Sequence, residues 1–176
     1  VEEHMHGALE RGEFQVHYQA QVDVNSGQVV GAEALLRWHN SHLGHVSPVE
    51  FIPVAEQTGM IIDIGKFVIE SALSMLKQCQ DGRFSSFRMA VNLSPCQFRD
   101  PLLVSFITQS LKDLGLRAAD FELEITEGVL MIGHSYVNES LNALCEAGVI
   151  LSMDDFGTGY SSLNYLRQYP FNVLKI

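Results

Sequence analysis

The stretch FQVHYQAQVDVNSGQVVGAEALLRW, residues 14–38, decides how the chain begins to fold. In its first half, apolar and polar residues alternate, which is the period of a β-strand with one polar face. The turn residues Asn25 to Gly27 follow, and a second strand-like run begins directly after them. So short a connection permits only an antiparallel pair, and the sequence therefore predicts a β-hairpin at the start of the fold.

Beyond the hairpin, helix and strand patterns alternate along the chain. Ser47, Pro48 and Glu50 predict a helix start with a capping box, and Gly59 predicts the end of that helix. Further helices are predicted over residues 61–82, from about 101 to 115, up to 148 and briefly after 161, and further strands over residues 87–94, 121–126, 149–153 and 171–176. Alternation of this kind is typical of an α/β protein with a parallel sheet or barrel.

The length of the chain sets a limit on such a barrel. A barrel of eight strand–helix units typically takes about 250 residues, whereas this chain has 176. The apolar content of the predicted strands suits burial on both faces, as a barrel requires. We therefore expect residues 1–176 to form one α/β barrel domain that stops after its sixth strand.

Composition bears on the partners and on the location of the protein. With 11 Lys and Arg against 21 Asp and Glu, the net charge is -10, which disfavours a nucleic-acid polymer held by its phosphates. Cys79, Cys96 and Cys145 show no paired spacing, which fits a reducing cytoplasm. Neither a membrane-spanning apolar run nor a signal-peptide pattern is found, so we expect a soluble cytoplasmic domain that can belong to a membrane-anchored protein.

Polar side chains mark the carboxyl ends of the predicted strands. They are Glu33 and Arg37 on the second strand, Asn92, Glu124 with Glu127 beyond it, Asp154 and Asp155, and Lys175. In a barrel of strand–helix units, chemistry gathers at these ends. The sequence spacing from Asn92 to Glu124, and from Glu124 to Asp154, is close to the length of one strand–helix unit. We therefore expect these three side chains at equivalent heights in the barrel, converging on one point.

A cluster of carboxylates needs a compensating charge. Several buried carboxylates cannot all stay ionised and unpaired, because desolvation and mutual repulsion cost too much. Divalent cations are the simplest compensation, and oxygen ligands favour Mg²⁺ or Mn²⁺ over Zn²⁺. Adjacent Asp154 and Asp155 suit a pair of metals about 3.5 to 4 Å apart, the arrangement used for displacement at phosphorus.

Each element of this pattern also has a simpler interpretation when it stands alone. The run DDFGTGYSS, residues 154–162, could be a turn followed by a helix cap. His39, His42 and His45 have metal-ligand character, but their spacing in a segment with Gly and Asn favours exposed loop histidines. The convergence of the carboxylates on one site favours a functional role for these residues over a purely structural one.

Five motifs together resemble one family. EALLRW (33–38), FIPVAEQTG (51–59), VNLSPCQF (91–98), ELEITE (122–127) and DDFGTGYSSLNYL (154–166), followed by LKI (174–176), are similar to the EAL-domain phosphodiesterases that hydrolyse cyclic di-GMP. Each motif alone has modest specificity for the family, but together, in this order and spacing, they are highly specific. The resemblance implies a modified (β/α)₈ barrel of the TIM type with an antiparallel first strand, and a site holding two Mg²⁺ or Mn²⁺ ions.

The resemblance also assigns roles to residues. It implies that one metal is held by Glu33, Asn92, Glu124 and Asp154, and the second by Asp154 and Asp155. It places Lys175 beside the reacting water, Arg37 and Gln19 near the substrate, and Glu127 as the anchor of a loop that links the site to a dimer interface. The family has a further Glu and Gln on later strands, which residues 1–176 do not contain.

The function expected from this resemblance is metal-dependent hydrolysis of cyclic di-GMP to linear pGpG, with Glu33, Asp154 and Lys175 as the catalytic core. We expect a homodimer, and fusion to, or regulation by, a sensory domain or a cyclase domain of the GGDEF type. The alternatives are a receptor that binds the dinucleotide without cleaving it, and an inactive interaction scaffold. Receptors of this kind typically lose several acidic ligands, and none is lost before Ile176.

Overall fold

A computed structural model describes residues 1–84, 86–126, 128–129, 134–154 and 171–175. Its strands are β1 (Phe14–Val22), β2 (Val29–Asn40), β3 (Gly44–Val46), β4 (Arg88–Asn92), β5 (Phe121–Thr126), β6 (Ile150–Asp154) and β7 (Val173–Leu174). Its α-helices are α1 (Glu2–Met5), α2 (Pro48–Thr58), α3 (Ile61–Asp81), α4 (Leu103–Asp113) and α5 (Ser135–Glu146). Short 3₁₀ helices span Pro95–Arg99 and Ala118–Asp120. Glu127, Asp155 and the short helix predicted after Ser161 lie outside the described residues.

The described strands form one sheet in the order β1-β2-β4-β5-β6-β7, with β3 paired to β2. β1 and β2 are antiparallel, with Phe14 opposite Trp38, which confirms the predicted hairpin. All the pairs from β2–β4 to β6–β7 are parallel. This arrangement confirms an α/β fold with an antiparallel first strand. That the chain stops short of the last barrel strands stays a prediction.

β3 is a strand that the sequence pattern does not predict. It pairs with the end of β2, and the connecting turn is closed by Asn40, whose Oδ1 accepts the backbone N–H groups of His42 and Leu43 at 2.9 and 3.0 Å. His39 and His45 therefore lie opposite each other on paired strands, with ring centroids 4.5 Å apart. The predicted loop placement is therefore wrong for His39 and His45, because the Asn40 side chain closes a turn short enough for β2 and β3 to pair. His42 does lie in the turn, and all three histidines are exposed, as predicted.

Helices α2 and α3 follow their predicted bounds. α2 has Pro48 in its first turn and ends at Gly59, whose positive φ of 78° suits the residue without a Cβ. The capping box predicted at Ser47 is wrong: within the described part of the chain, the Ser47 side chain makes no capping hydrogen bond. No helix in the described ranges combines the length and apolarity needed to cross a membrane.

The apolar core lies between the helices and the outer face of the sheet. Met89, Val91, Leu123 and Leu151 are nearly fully buried there, against Leu73 and other apolar residues of the surrounding helices. Alternate residues of each strand face this layer, as the two-residue strand period requires. A second cluster around Trp38 and Phe51 packs α2 and the N-terminal segment onto the hairpin.

The opposite, inner face of the sheet is also buried but carries polar side chains. Glu122, Glu124 and Ser152 are 3%, 1% and 0% exposed. β5 and the middle of β6 are thus buried on both faces, as predicted, whereas alternate residues of β1 are exposed. The inner face is nevertheless not apolar, and buried carboxylates must be compensated or give up their charge.

Candidate active site

The strand register places the predicted site residues on one face. Gln19 lies opposite Glu33, and Asn92 lies opposite Glu124. Glu33 is paired with Ala90, two residues before Asn92. Asp154 is paired with Thr126, two residues after Glu124. Even offsets keep all these side chains on the inner face. The predicted equal height is confirmed for Asn92 and Glu124 but is wrong for Asp154, which lies two residues further along, as expected when the strands of a barrel are tilted.

Three of these side chains meet around Lys175. Asn92 Nδ2 donates to Glu33 Oε1 at 2.7 Å. Lys175 Nζ lies 3.4 Å from Glu33 Oε2 and is in direct contact with Glu124 Oε1. Glu33, Asn92, Glu124 and Lys175 are separated widely in sequence, so the fold brings them to a single point.

Glu124 is the most strongly perturbed group of this cluster. Burial raises its pKa from 4.5 to about 7; the Lys175 hydrogen bond opposes the rise, and the negative charge of Glu33 adds to it. Burial alone would lower the pKa of Lys175, but the hydrogen bond and charge of Glu124, together with Glu33, leave it raised. Among the described residues, Glu124 Oε2 is buried without a hydrogen-bond partner. The centre therefore carries a carboxylate oxygen with unused capacity to bind a cation.

The donor set fits a hard divalent cation. Its atoms are carboxylate and amide oxygens, and the bond from Asn92 Nδ2 to Glu33 leaves the Asn92 carbonyl oxygen for a ligand. In the part of the chain that the structure describes, however, no three His, Cys, Asp or Glu side chains are grouped closely enough to hold a metal ion. The Lys175 ammonium group instead pairs with both Glu33 and Glu124.

Of the remaining predicted residues, Gln19, Arg37 and Asp154 lie on strands β1, β2 and β6 of the same sheet. Arg37 is half-buried, and its Nη1 donates to the Leu36 carbonyl at 2.9 Å. Gln19 is exposed on β1. Asp154 ends β6 and is half-buried. Glu127 and Asp155 lie outside the described residues, so their roles stay predictions.

A cavity of about 460 Å³ opens beside the carboxylates. Arg37, Asn92 and Glu124 contribute to its lining, and apolar residues of α2 and α3, among them Ile52 and Ile64, form another wall. A cavity with an apolar wall and a few polar groups is the usual form of a small-molecule site. The cavity meets the carboxylate centre at Asn92 and Glu124, so a ligand in it can reach Arg37 and Glu124.

Three polar residues that line the same cavity are not among the site residues predicted from the sequence. They are Glu56 on α2 and Ser94 and Gln97 after β4. Ser94 Oγ donates to Glu56 Oε1 at 2.6 Å, and the Ser94 N–H donates to Gln97 Oε1 at 2.9 Å. The pattern Ser-Pro-x-Gln in LSPCQF is a capping-box signature and could have identified Ser94 and Gln97. The sequence offers no comparable signal for Glu56.

The comparison with family models matches residues 2–176 to one family, described as EAL domain. The chain belongs to the EAL domain family. This agrees with the hairpin, the parallel strands and the carboxylate centre described above.

Named relatives of the EAL domain chain include two proteins of Pseudomonas aeruginosa. The bifunctional diguanylate cyclase/cyclic di-GMP phosphodiesterase MucR is 40% identical over 96% of this chain and 25% of its own length. The cyclic di-GMP phosphodiesterase NbdA is 38% identical over 100% of this chain and 22% of its own length. The chain thus spans about a quarter of these curated relatives.

Solved structures give the same fold. The MucR phosphodiesterase in complex with cyclic di-GMP matches with a TM-score of 0.91 and 39% identity, over 99% of this chain and 70% of the MucR chain. The fold is therefore that of an EAL domain with a TIM-like barrel.

Proposed function

We propose that the protein is a metal-dependent phosphodiesterase that hydrolyses cyclic di-GMP to linear pGpG. The observation that carries the proposal is the meeting of Glu33, Asn92 and Glu124 around Lys175 in an EAL domain. It is supported by relatives named as cyclic di-GMP phosphodiesterases and by the similarity to the cyclic di-GMP complex of MucR.

The proposed cofactor is a pair of Mg²⁺ or Mn²⁺ ions. Glu33, Asn92, Glu124 and Asp154 would hold one ion, and Asp154 and Asp155 the other. Such ions supply an activated water and stabilise charge on the oxygens of the phosphodiester. Their charge also explains how a protein with a net charge of -10 can bind a dianionic dinucleotide.

The side chains around the centre complete the proposed mechanism. The Lys175 ammonium group, held by two carboxylates, can stabilise negative charge that develops at phosphorus. Arg37 in the cavity wall can donate to a substrate phosphate, and Gln19 lies on the same face for a contact with the substrate. The apolar wall from α2 and α3 offers a surface for the uncharged part of a ligand.

The direct experiment incubates cyclic di-GMP with the natural protein that contains this chain, with Mg²⁺ or Mn²⁺ and with EDTA. We expect pGpG only when the divalent ion is present, and chromatography of the products measures it. Product formation at the same rate in EDTA would contradict the proposal.

A receptor that binds cyclic di-GMP without cleavage is the second candidate. One observation favours it: Lys175 forms ion pairs with two of the carboxylates, so part of their negative charge is compensated within the protein. Tight binding in EDTA by calorimetry, with no product after long incubation with Mg²⁺ or Mn²⁺, would establish the receptor and exclude the phosphodiesterase.

The proposal extends to the assembly of the protein. We propose a homodimer, as the family resemblance implies. We also propose an accompanying sensory or cyclase domain, because MucR is named as a bifunctional diguanylate cyclase and phosphodiesterase and the chain covers 25% of it. We also propose that the barrel is completed by strands after residue 176, since the chain covers 70% of the MucR phosphodiesterase structure. Light scattering of the natural protein tests the dimer, and a monomer mass at working concentration would contradict it.

A further inference from the structure

The hydrogen bond between Ser94 and Glu56 joins the end of β4 to helix α2. Its length of 2.6 Å is in the range of a hydroxyl bound to an ionised carboxylate, which is about twice as strong as a neutral hydrogen bond. Among the described residues, Glu56 takes part in no ion pair. Its charge therefore serves the Ser94 hydroxyl rather than a basic neighbour.

The segment after β4 is held at several further points. The Leu93 N–H donates to the Glu124 carbonyl at 2.8 Å, which continues the strand ladder by one residue. The capping box of Ser94 and Gln97 begins the 3₁₀ helix Pro95–Arg99. The Gln97 side chain is 4% exposed and lies against α3 so closely that a Cβ on Gly65 would be 2.0 Å from its Nε2. The chain is thus fixed on both sides of Ser94.

Asn92 is two residues from Ser94 and makes the hydrogen bond to Glu33 at the centre of the site. It is exposed, and no described side chain other than Glu33 bonds its amide group. The position of its carbonyl oxygen therefore depends on the backbone that carries it. That backbone is fixed by Leu93 on the strand side and by Ser94 on the helix side.

We infer that Glu56 and Ser94 are positioning residues, which hold the Asn92 carbonyl oxygen where a divalent cation at the Glu33–Glu124 centre requires it. The inference rests on the proposed function and adds to it a part of α2 that contacts no predicted metal ligand directly. Outer partners of metal ligands typically contribute 10- to 100-fold to metal affinity or activity. The same size of effect is expected here.

The test compares variants of the natural protein for binding of Mn²⁺, followed by the electron paramagnetic resonance signal of the free ion. Glu56→Ala is expected to weaken Mn²⁺ binding about tenfold and to lower kcat, with the KM for cyclic di-GMP unchanged. Glu56→Gln is expected to restore binding to within about threefold, because its amide oxygen still accepts the Ser94 hydroxyl. Glu50→Ala removes the same charge from the exposed start of α2 and serves as the matched control.

Three results would overturn the inference. Unchanged Mn²⁺ binding in Glu56→Ala would show that the hydrogen bond does not position the site. A Glu56→Gln variant as weak as Glu56→Ala would show that the charge acts rather than the bond. A raised KM with normal Mn²⁺ binding would show that Glu56 contacts the substrate itself.

Hydrogen exchange in metal-free protein separates this inference from the proposed function. Backbone amides over residues 92–97 are expected to exchange faster in Glu56→Ala and in Ser94→Ala, and at the wild-type rate in Glu50→Ala. Ser94→Ala removes only a hydroxyl, so it tests the bond even if Glu56→Ala does not fold. Unchanged exchange in Ser94→Ala contradicts the positioning role, whereas a wild-type protein without turnover contradicts only the phosphodiesterase.

Discussion

Replacing Glu124 with Gln is expected to stabilise the metal-free protein while it abolishes activity. In the folded protein the pKa of Glu124 is raised from 4.5 to about 7, mainly by burial. A change of this size corresponds to a cost of about 3 kcal/mol for holding the ionised form above pH 7. Gln has nearly the same shape and no charge, so up to about 3 kcal/mol of stability is gained at pH 8.

The stability difference between Glu124→Gln and wild type is expected to change with pH in a defined direction. Since the folded pKa lies above the unfolded value, the protonated carboxyl contributes stability that is complete below pH 4.5 and is lost as the pH rises through about 7. The difference between Glu124→Gln and wild type is therefore largest at pH 8 and closes toward pH 4.5. Urea unfolding in EDTA at several pH values measures it, with Glu50→Gln as an exposed control.

Bound metal is expected to make wild type more stable than Glu124→Gln. Mn²⁺ at about one hundred times its dissociation constant stabilises wild type by about 2.7 kcal/mol, and Glu124→Gln gains much less because it has lost a ligand. A Glu124→Gln variant that is less stable than wild type in EDTA at pH 8 would refute this reasoning. Such a result would mean that the ion pair with Lys175 outweighs the cost of burial, since breaking a buried pair can cost 3–5 kcal/mol.

Three further substitutions test other parts of the account. A hydrogen bond from Arg11, with two from other side chains, holds the pKa of Glu13 at about 2, so this carboxylate contributes stability above pH 4.5 that is lost as the pH falls through 2. Because Arg11 is half-exposed, Glu13→Gln should cost only about 1–2 kcal/mol in urea unfolding at pH 6 and should make the free energy of unfolding depend less on pH toward pH 3. An equal pH dependence in wild type and variant would contradict this. Gly65→Ala places a Cβ against buried Gln97 and should destabilise by about 1–3 kcal/mol, whereas an unchanged thermal midpoint would contradict the packing. Arg37→Ala should raise the KM for cyclic di-GMP about tenfold by loss of a charged hydrogen bond, and an unchanged KM would exclude Arg37 as a phosphate contact.

Local periodicity predicts much of the fold. The β1–β2 hairpin, helices α2 and α3 and strand β5 follow from alternation and from Gly59 as a stop signal, because these features depend on neighbours in sequence. β3 depends on the Asn40 side chain closing a turn, which alternation does not reveal. The capping box expected at Ser47 does not form although Glu50 stands in the position that the motif requires, whereas Ser94 and Gln97 do form one, so the motif alone does not decide the cap.

The site is predictable only where the strand period controls it. Glu33, Asn92 and Glu124 converge because each follows from its place on a strand of a parallel sheet. The contact of Glu56 with Ser94 joins residues 38 positions apart and depends on how α2 packs against the end of β4, which no sequence spacing encodes. The pairing of Lys175 with both Glu33 and Glu124 likewise becomes visible only when the strands are assembled.

The most direct test of the central claim is the kcat/KM for conversion of cyclic di-GMP to pGpG by the natural protein and its Glu33→Ala variant, with Mg²⁺ or Mn²⁺ and with Glu50→Ala as control. Glu33 bonds Asn92 and Lys175, so its loss removes a carboxylate from the centre of the site. We expect turnover in wild type and in Glu50→Ala, and at least a hundredfold loss, on the order of 3 kcal/mol, in Glu33→Ala. Robust turnover by Glu33→Ala would contradict the claim that this centre performs the hydrolysis.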